Sequence, residues 1–538
     1  MTLFRPAALI AVVTFLVFAP SLSFDFLHSD DDVNVFENVH IRTLDTVSLK
    51  WMLTDFQQAI RFKPLTWFGW ALLYQAGGLE PFSYHLANVA LHALNAALLF
   101  LLLGRFLPRI STSFLVIGTL AWSLHPLRVE PVAWVTGFPY HLTTLFMLLA
   151  LLAYERTDPD RSAFPQRCYW LAFAGHALAL AAYPIALGFT AGLVAIDLLR
   201  LPDRNGERGG LQALKRQMLE KLPFALSAGL VTLVTVLNRY QVDSPWGAVS
   251  QTNNYDVAQH AFQAAYVWTY YLWKPLFPVA LTPIPTELID SVGITRSFAL
   301  AACSLVALIG VAIWMAVRRC RLGLGAFLIA HVGLLVPLLG LTEQYHFTSD
   351  RYAHVVGIPL TFGLTAMLAR LPLLAVKLCA SGAVAILAAL SLSYLPVWED
   401  DITYFGYLGN RLGDNLMKPP VLDRLGDAQM RREKYARAIQ AYRGVLACNP
   451  RYVPPSTVFK LAAALQAEGR HAEAEAELRA GLQSQPDNVG GLYVLAQVTA
   501  STDRTEEAAT LLQRALQLSP DFTPAREMLE QLKTTPRP

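Results

Sequence analysis

Apolar residues in this chain run in long blocks, and blocks of that length dictate their own surroundings. A helix needs about 20 apolar residues to cross a hydrocarbon core of roughly 30 Å. Such blocks recur at Ala7–Phe24, His85–Gly104, Thr112–Leu124, His141–Tyr154, Tyr169–Tyr183, Ile185–Leu199, Pro223–Leu237, Phe298–Val317, Gly323–Leu341, Val355–Ala369 and Pro372–Leu395, with a twelfth candidate at Ala258–Leu276. Only 15% of residues are charged, against roughly 25% in a soluble domain. The expected fold is all-α: a polytopic membrane domain of about 11–12 spans.

The net charge of +3 is too small to point to nucleic acid. Five cysteines (Cys168, Cys303, Cys320, Cys379, Cys448) show no paired spacing, which argues against a disulfide framework or a cysteine metal cluster. The N-terminus carries Arg5 and an apolar run without a small-x-small cleavage site, so it reads as an uncleaved first helix.

Positive loops stay cytoplasmic. The most basic segment is Arg200–Lys221; Arg105 with Arg109, Arg156 with Arg161 and Arg167, and Arg318 with Arg319 and Arg321 mark other cytoplasmic ends. Threading from a cytoplasmic N-terminus places Asp25–Tyr84, His125–Tyr140, Thr342–Arg351 and everything after Val397 outside. This holds if Ala258–Leu276, with its tyrosines, Lys274 and Pro275, is re-entrant or interfacial. If it crosses, every later assignment inverts.

Hydropathy falls abruptly after Trp398. Residues 398–418 read as a linker between a membrane domain, 1–397, and a helical domain, 419–538. The latter repeats near 34 residues, in register on Leu425, Leu461 and Leu495, on Ala438, Ala474 and Ala508, and on Pro450, Pro486 and Pro520. That is a short tetratricopeptide-repeat (TPR) solenoid of three units, whose expected role is to bind a protein or peptide.

Polar residues gather at the external span ends. The first loop carries Asp30, Asp31 and Asp32, three adjacent carboxylates that repel one another. A metal, a cationic ligand or a general base with a raised pKa would account for them, as would a solvated acidic turn. His125-Pro126-Leu127-Arg128-Val129-Glu130 puts three ionisable groups at one span end, where they are expensive. Glu343–Tyr352 adds Asp350, Arg351 and Tyr352; the Arg351 fork suits a phosphate, or a structural salt bridge. Arg61 and Lys63 add cations to the first loop. His85, Asn88, His92 and Asn95 form one polar helical stripe, of a kind that packs against other helices more often than it meets substrate. Together these describe carboxylates beside basic groups at a membrane surface. Transfer from a lipid-phosphate sugar needs a base for the acceptor hydroxyl and cations for the departing phosphate.

Asp30-Asp31 with Asn38, then Lys63-Pro64-Leu65-Thr66, then Tyr84-His85-x-x-Asn88-x-x-x-His92-Ala93-x-Asn95 resembles bacterial relatives of the transmembrane and tetratricopeptide-repeat O-mannosyltransferases. His125-Pro126-Leu127-x-x-Glu130-x-Val132-Ala133-Trp134-Val135 and Asp350-Arg351-Tyr352 resemble the same family, as does the order of parts. The resemblance implies a GT-C type membrane domain and a polyprenyl-phosphate sugar donor. It makes Asp30, Asp31 and Glu130 the catalytic candidates. Arg351, Arg128, Lys63 and His125 become donor-phosphate contacts, and Asp350, Tyr352, His85, Asn88 and His92 supporting residues. It further implies a bacterial inner membrane with periplasmic repeats. Mg²⁺ or Mn²⁺ could sit on Asp30 and Asp31, or no metal be used. Two places depart from the family pattern: Gly137–His141, where relatives carry a basic and an acidic residue, and Tyr183-Pro184, where many carry Lys-Pro. A non-catalytic scaffold that assembles envelope complexes through its repeats is the principal alternative. A polymerase or ligase of lipid-linked glycans is a third, but the large basic external loop it calls for has no match here.

Overall fold

A computed structural model describes residues 3–55, 62–159, 161–200, 209–239, 257–284, 302–303, 306–307, 310, 322–339, 348–371, 374–413, 415–450, 453–454 and 456–534. Among these, helix is the only regular structure. Backbone in hydrocarbon must satisfy its own hydrogen bonds, and a helix does so within one segment.

The chain forms two units, Met1–Asp400 and Asp401–Pro538. In the first, α1 is Phe4–Phe18, α2 Thr46–Thr54, α3 Pro64–Gly77, α4 Pro81–Phe106, α5 Thr112–Ser123, α6 Val129–Ala133 and α7 Phe138–Tyr154. Then come α8 Arg167–Ala182, α9 Phe189–Arg200, α10 Gly209–Arg239, α11 Val257–Trp273, α12 Leu322–Leu335, α13 Ala353–Leu368 and α14 Leu374–Tyr394. Among the described residues, five stretches are long and apolar enough to cross a membrane: Phe4–Ser23, Pro81–Phe106, Val135–Tyr154, Lys215–Thr235 and Leu374–Trp398. Among the described residues, Thr112–Ser123 and Gly325–Leu338 form shorter apolar helices. Pro184 ends the run begun by α8 and starts a 3-10 turn into α9, because proline supplies no N–H to continue the first helix. The expected spans at Phe298–Val317 and at the end of Gly323–Leu341 lie wholly or partly outside the described residues, as do Arg61, Glu343 and positions 201–208 of the basic loop.

Outer faces are apolar. On α10, Leu219, Leu222, Leu226, Leu230, Leu233 and Leu237 are exposed at helical spacing, and α14 exposes Leu374, Leu378 and Ile386. In water this would be a large patch; in a bilayer it is the solvent-facing surface. Lys221, counted above as a loop cation, is instead buried, ion-paired to Asp197 and bonded to the Tyr154 hydroxyl. It ties α10 to α9 and α7. The Ala258–Leu276 segment forms α11, whose Tyr266, Val267, Trp268, Tyr270 and Tyr271 are buried in the bundle core.

In the second unit α15, Asp401–Arg411, lies within the expected linker 398–418 and packs against α16, Lys418–Arg431; the two units divide after Asp400. Then follow α17 Tyr435–Leu446, α18 Thr457–Ala467, α19 His471–Ser484, α20 Val489–Ser501, α21 Thr505–Leu518 and α22 Thr523–Thr534. Ala438, Ala474 and Ala508 are fully buried where paired helices cross, as their small size requires. Gly426 lies against the Tyr442 ring so closely that a Cβ would collide with it. Lys460 joins α18 to α16 through Asp423 and Asp427, both at 2.6 Å.

Candidate functional site

The first loop folds around a carboxylate. Asp31 is buried, and its Oδ2 accepts the Leu27 N–H at 3.0 Å. Its Oδ1 accepts the Thr136 N–H at 2.9 Å and the Thr136 hydroxyl at 2.6 Å. Burial pushes its pKa up to about 7, against the pull of those hydrogen bonds. Asp31 therefore clamps the loop to the turn that follows α6.

A second clamp lies beside it. The Trp134 indole N–H donates to the Ser29 carbonyl at 2.8 Å. Residues on both sides of Asp30 are thus held by Trp134 and Thr136. Asp30 itself is exposed and takes φ +73°, a left-handed conformation that aspartate tolerates better than most residues. Its carbonyl accepts from the Asn34 N–H and from the Asn34 side chain at 2.9 and 2.8 Å. The backbone is fixed on every side, while the carboxylate points outward from the loop.

Lys63 supports this arrangement from below. Its ammonium is buried over the Trp67 and Trp70 rings at 4.1 and 4.8 Å and donates to Asn34 Oδ1 at 2.7 Å. Expected as a phosphate contact, Lys63 is enclosed by aromatic rings and works through Asn34 on the Asp30 backbone.

Glu130, on α6, is also buried and fully engaged. Its Oε1 accepts from Ser349 Oγ and from Arg351 Nη1, both at 2.6 Å, and its Oε2 from the Arg351 N–H at 2.9 Å. Arg351 also donates from Nε to the Tyr140 hydroxyl at 3.1 Å, and lies over the Trp134 and Tyr352 rings at 5.2 and 5.1 Å. Its side chain keeps 23% of its exposure. One Trp134 side chain therefore carries both Arg351 and the backbone next to Asp30. This joins an outward carboxylate to a partly exposed guanidinium.

The other basic candidates are placed differently. His125 accepts the Leu127 N–H at Nδ1 and bonds the Pro275 carbonyl through Nε2 at 2.9 Å; burial, then the neighbouring Arg128, brings its pKa down to about 3. It is a neutral internal tie, not a cation for phosphate. Arg128 is buried against Trp122, donating from Nε to the Trp122 carbonyl at 3.0 Å. Asp350 accepts the Tyr270 hydroxyl at 3.0 Å; burial pushes its pKa up to about 7, with nearby Glu130 adding to the effect. The polar stripe on α4 is buried in the bundle. Asn88 donates to the Trp134 carbonyl at 2.8 Å, His92 bonds the Ser123 carbonyl at 2.9 Å, and His85 lies edge-on to Phe24. A divalent ion shared by Asp30 and Asp31 does not fit. The Asp31 oxygens already face three protein donors in a buried pocket, so bridging would break the clamp.

Sequence reasoning missed Thr136, Tyr140, Tyr183, Ser349 and the wall formed by α11. Tyr140 and Tyr183 belong to the two segments that depart from the family pattern, and their hydroxyls meet at 3.2 Å. The two departures touch each other, and a tyrosine pair stands beside Arg351 where charged groups were expected.

Residues 465–532 match the tetratricopeptide-repeat family model. The chain is similar to human protein O-mannosyl-transferase TMTC3, 35% identical over 102 residues, 19% of this chain and 11% of that protein. It is also similar to Drosophila melanogaster Tmtc1, 37% over 95 residues (18% and 11%), and to Mus musculus TMTC1, 28% over 161 residues (28% and 17%). The chain thus spans under a fifth of the length of these relatives. Among solved structures it is similar to the first TPR of Spaghetti (RPAP3) bound to an HSP90 peptide, 21% identical, covering 22% of this chain and 93% of that one at TM-score 0.21. The P58(IPK) TPR domain is 13% identical, covering 69% and 94% at TM-score 0.21. The chain is a multi-pass membrane protein with TPRs that is similar, over 18–28% of its length, to protein O-mannosyl-transferases.

Proposed function

We propose that this chain is a GT-C type glycosyltransferase that moves one sugar from a polyprenyl-phosphate donor to an acceptor outside the cytoplasm, with Asp30 as the base. The observation that carries this reading is Asp30, held outward by clamps on Ser29 and Asp31 and joined through Trp134 to Arg351. An unusual backbone conformation held from both sides is a mark of functional positions.

In the reaction, the acceptor hydroxyl oxygen bonds to the anomeric carbon as the bond from that carbon to the phosphate oxygen breaks. The hydroxyl proton passes to the Asp30 carboxylate. The electron pair leaves with the polyprenyl phosphate, whose charge Arg351 stabilises through its partly exposed edge. Glu130, Tyr140 and Trp134 orient that guanidinium; Asp31 and Lys63 position Asp30. The TPR unit recruits a protein acceptor or partner, a role TPR domains commonly have. The charge pattern of the loops favours repeats on the non-cytoplasmic side, and the resemblance to bacterial relatives favours an inner membrane with the repeats in the periplasm.

Membranes containing the protein, supplied with labelled polyprenyl-phosphate sugars, should transfer label, and Arg351→Met should lose transfer at unchanged expression. A wild-type protein that transfers from no such donor, while its repeats still capture a partner, would make it a scaffold.

A further inference from the structure

His92 on α4, His141 on α7 and His354 on α13 come from three distant stretches of sequence and converge inside the membrane unit. One ring nitrogen from each lies within 4.8 Å of the other two, and all three residues are fully buried. Ring centroids are 5.5 Å apart for His92–His141, 5.3 Å for His92–His354 and 4.6 Å for His141–His354.

Their hydrogen bonds fix the chemistry. His92 Nε2 lies 2.9 Å from the Ser123 carbonyl, and His141 Nε2 lies 2.8 Å from the Pro131 carbonyl. A carbonyl only accepts, so both Nε2 atoms carry the proton and both Nδ1 atoms hold a lone pair. Those Nδ1 atoms, and both nitrogens of His354, have no hydrogen-bond partner among the described residues. An imidazole tied to a backbone carbonyl through one nitrogen, with the other free, is the usual form of a metal-ligating histidine and its supporting partner. Buried lone pairs without partners are costly, and one ring nitrogen from each of the three residues lies within 4.8 Å of the other two. The backbone of the third ligand is fixed as well: the His354 carbonyl accepts the Trp122 indole N–H at 3.2 Å.

We propose that His92, His141 and His354 bind one late first-row transition-metal ion, with Zn²⁺ as the reference case, which staples α4, α7 and α13 beneath the candidate site. Bonds of about 2.0–2.1 Å in tetrahedral geometry set ligand nitrogens roughly 3.4 Å apart, so the widest pair closes by roughly 1.4 Å at most. The all-nitrogen donor set selects zinc, copper or nickel over magnesium and calcium, which take oxygen ligands. A water completes the fourth position. Among the charged groups nearby, Arg128 opposes a cation at all three rings, while the Asp350 carboxylate acts on Arg128 in the opposite sense. The staple places the metal below the helix ends that present Asn88, Tyr140 and Arg351, and it stands independently of the sugar-transfer reading.

The test uses the full chain purified in nanodiscs, stripped with a chelator and titrated with Zn²⁺ alone. One equivalent should bind tightly, with His354→Gln weakening it at least 100-fold and His471→Gln, in the TPR unit, leaving it unchanged. Co²⁺ loaded in place of Zn²⁺ should give the intense visible bands of a four-coordinate nitrogen site. No stoichiometric binding, equal binding by His354→Gln, or the weak spectrum of an octahedral aquo ion would overturn the proposal. Should His354→Gln fail to fold, the wild-type Co²⁺ spectrum decides alone.

Discussion

Replacing Glu130 by glutamine keeps the shape of the side chain and removes its charge, and the structure indicates what that costs. Glu130 accepts three hydrogen bonds, two of them from Arg351. A glutamine amide must aim its NH₂ at one of those donors, whichever way it turns. With its oxygen toward Arg351 Nη1 the glutamine loses the Arg351 N–H, and turned the other way it loses Nη1; in either case the guanidinium is left without a counter-charge. Breaking a buried pair costs about 3–5 kcal/mol. Arg351 retains 23% of its side-chain exposure and so recovers some hydration, which puts the expected loss at about 2–3 kcal/mol. The melting temperature in nanodiscs should fall by a few degrees. Transfer should fall by roughly a hundredfold, since about 1.4 kcal/mol is a factor of ten. In an Arg351→Met background the same substitution should cost far less, with a coupling of about 1.5–3 kcal/mol. Equal melting of Glu130→Gln and wild type, or additive effects in the double mutant, would refute the reasoning.

Other expectations follow from the same geometry. Asp31 and Asp350 hold protons in the folded state up to about pH 7, whereas unfolded aspartates lose theirs near 4. The folded state then binds more protons between those values, so stability is greatest below pH 4, falls as pH rises to about 7 and levels off above it. A melting temperature that climbs from pH 5 to 8 contradicts this assignment; Asp350→Asn should make the decline shallower. Gly137→Ala would drive a Cβ into the Pro131 carbonyl, backbone that cannot swing aside. It should cost more than 2 kcal/mol, a large value for one methyl, read as a lower melting temperature of the membrane unit. Trp134→Phe keeps a ring under Arg351 but removes the bond to Ser29. Transfer should drop roughly fivefold, for about 1 kcal/mol of lost hydrogen bond, with little change in melting; an unchanged rate removes Trp134 from the clamp.

Much of this was legible in the sequence, and the remainder was hidden for a physical reason. The apolar blocks that became α1, α4, α7, α10 and α14, and the buried register of Ala438, Ala474 and Ala508, are periodic and local, so spacing reveals them. The first-loop acids and Glu130 stood out because ionisable groups are expensive beside a membrane. Their division of labour was not visible. Asp31 is satisfied by Thr136, 105 residues away, and Glu130 by Ser349, 219 residues away. Local patterns carry no information about such pairs. His92, His141 and His354 lie far apart in sequence, and only folding brings their rings together. Lys63 could have been read better: Trp67 and Trp70 follow it at four and seven residues, on one helical face, which foretells a cation enclosed by rings.

The central claim is that the exposed Asp30 carboxylate does the chemistry while Asp31 holds it in place. Asp30→Asn separates the two, because asparagine accepts the left-handed backbone at that position without strain. Transfer of labelled sugar from polyprenyl phosphate should be measured for wild type and Asp30→Asn at equal expression and equal melting temperature. The account predicts that transfer is abolished in the variant while its stability is unchanged. A variant that transfers at the wild-type rate would show that the base lies elsewhere.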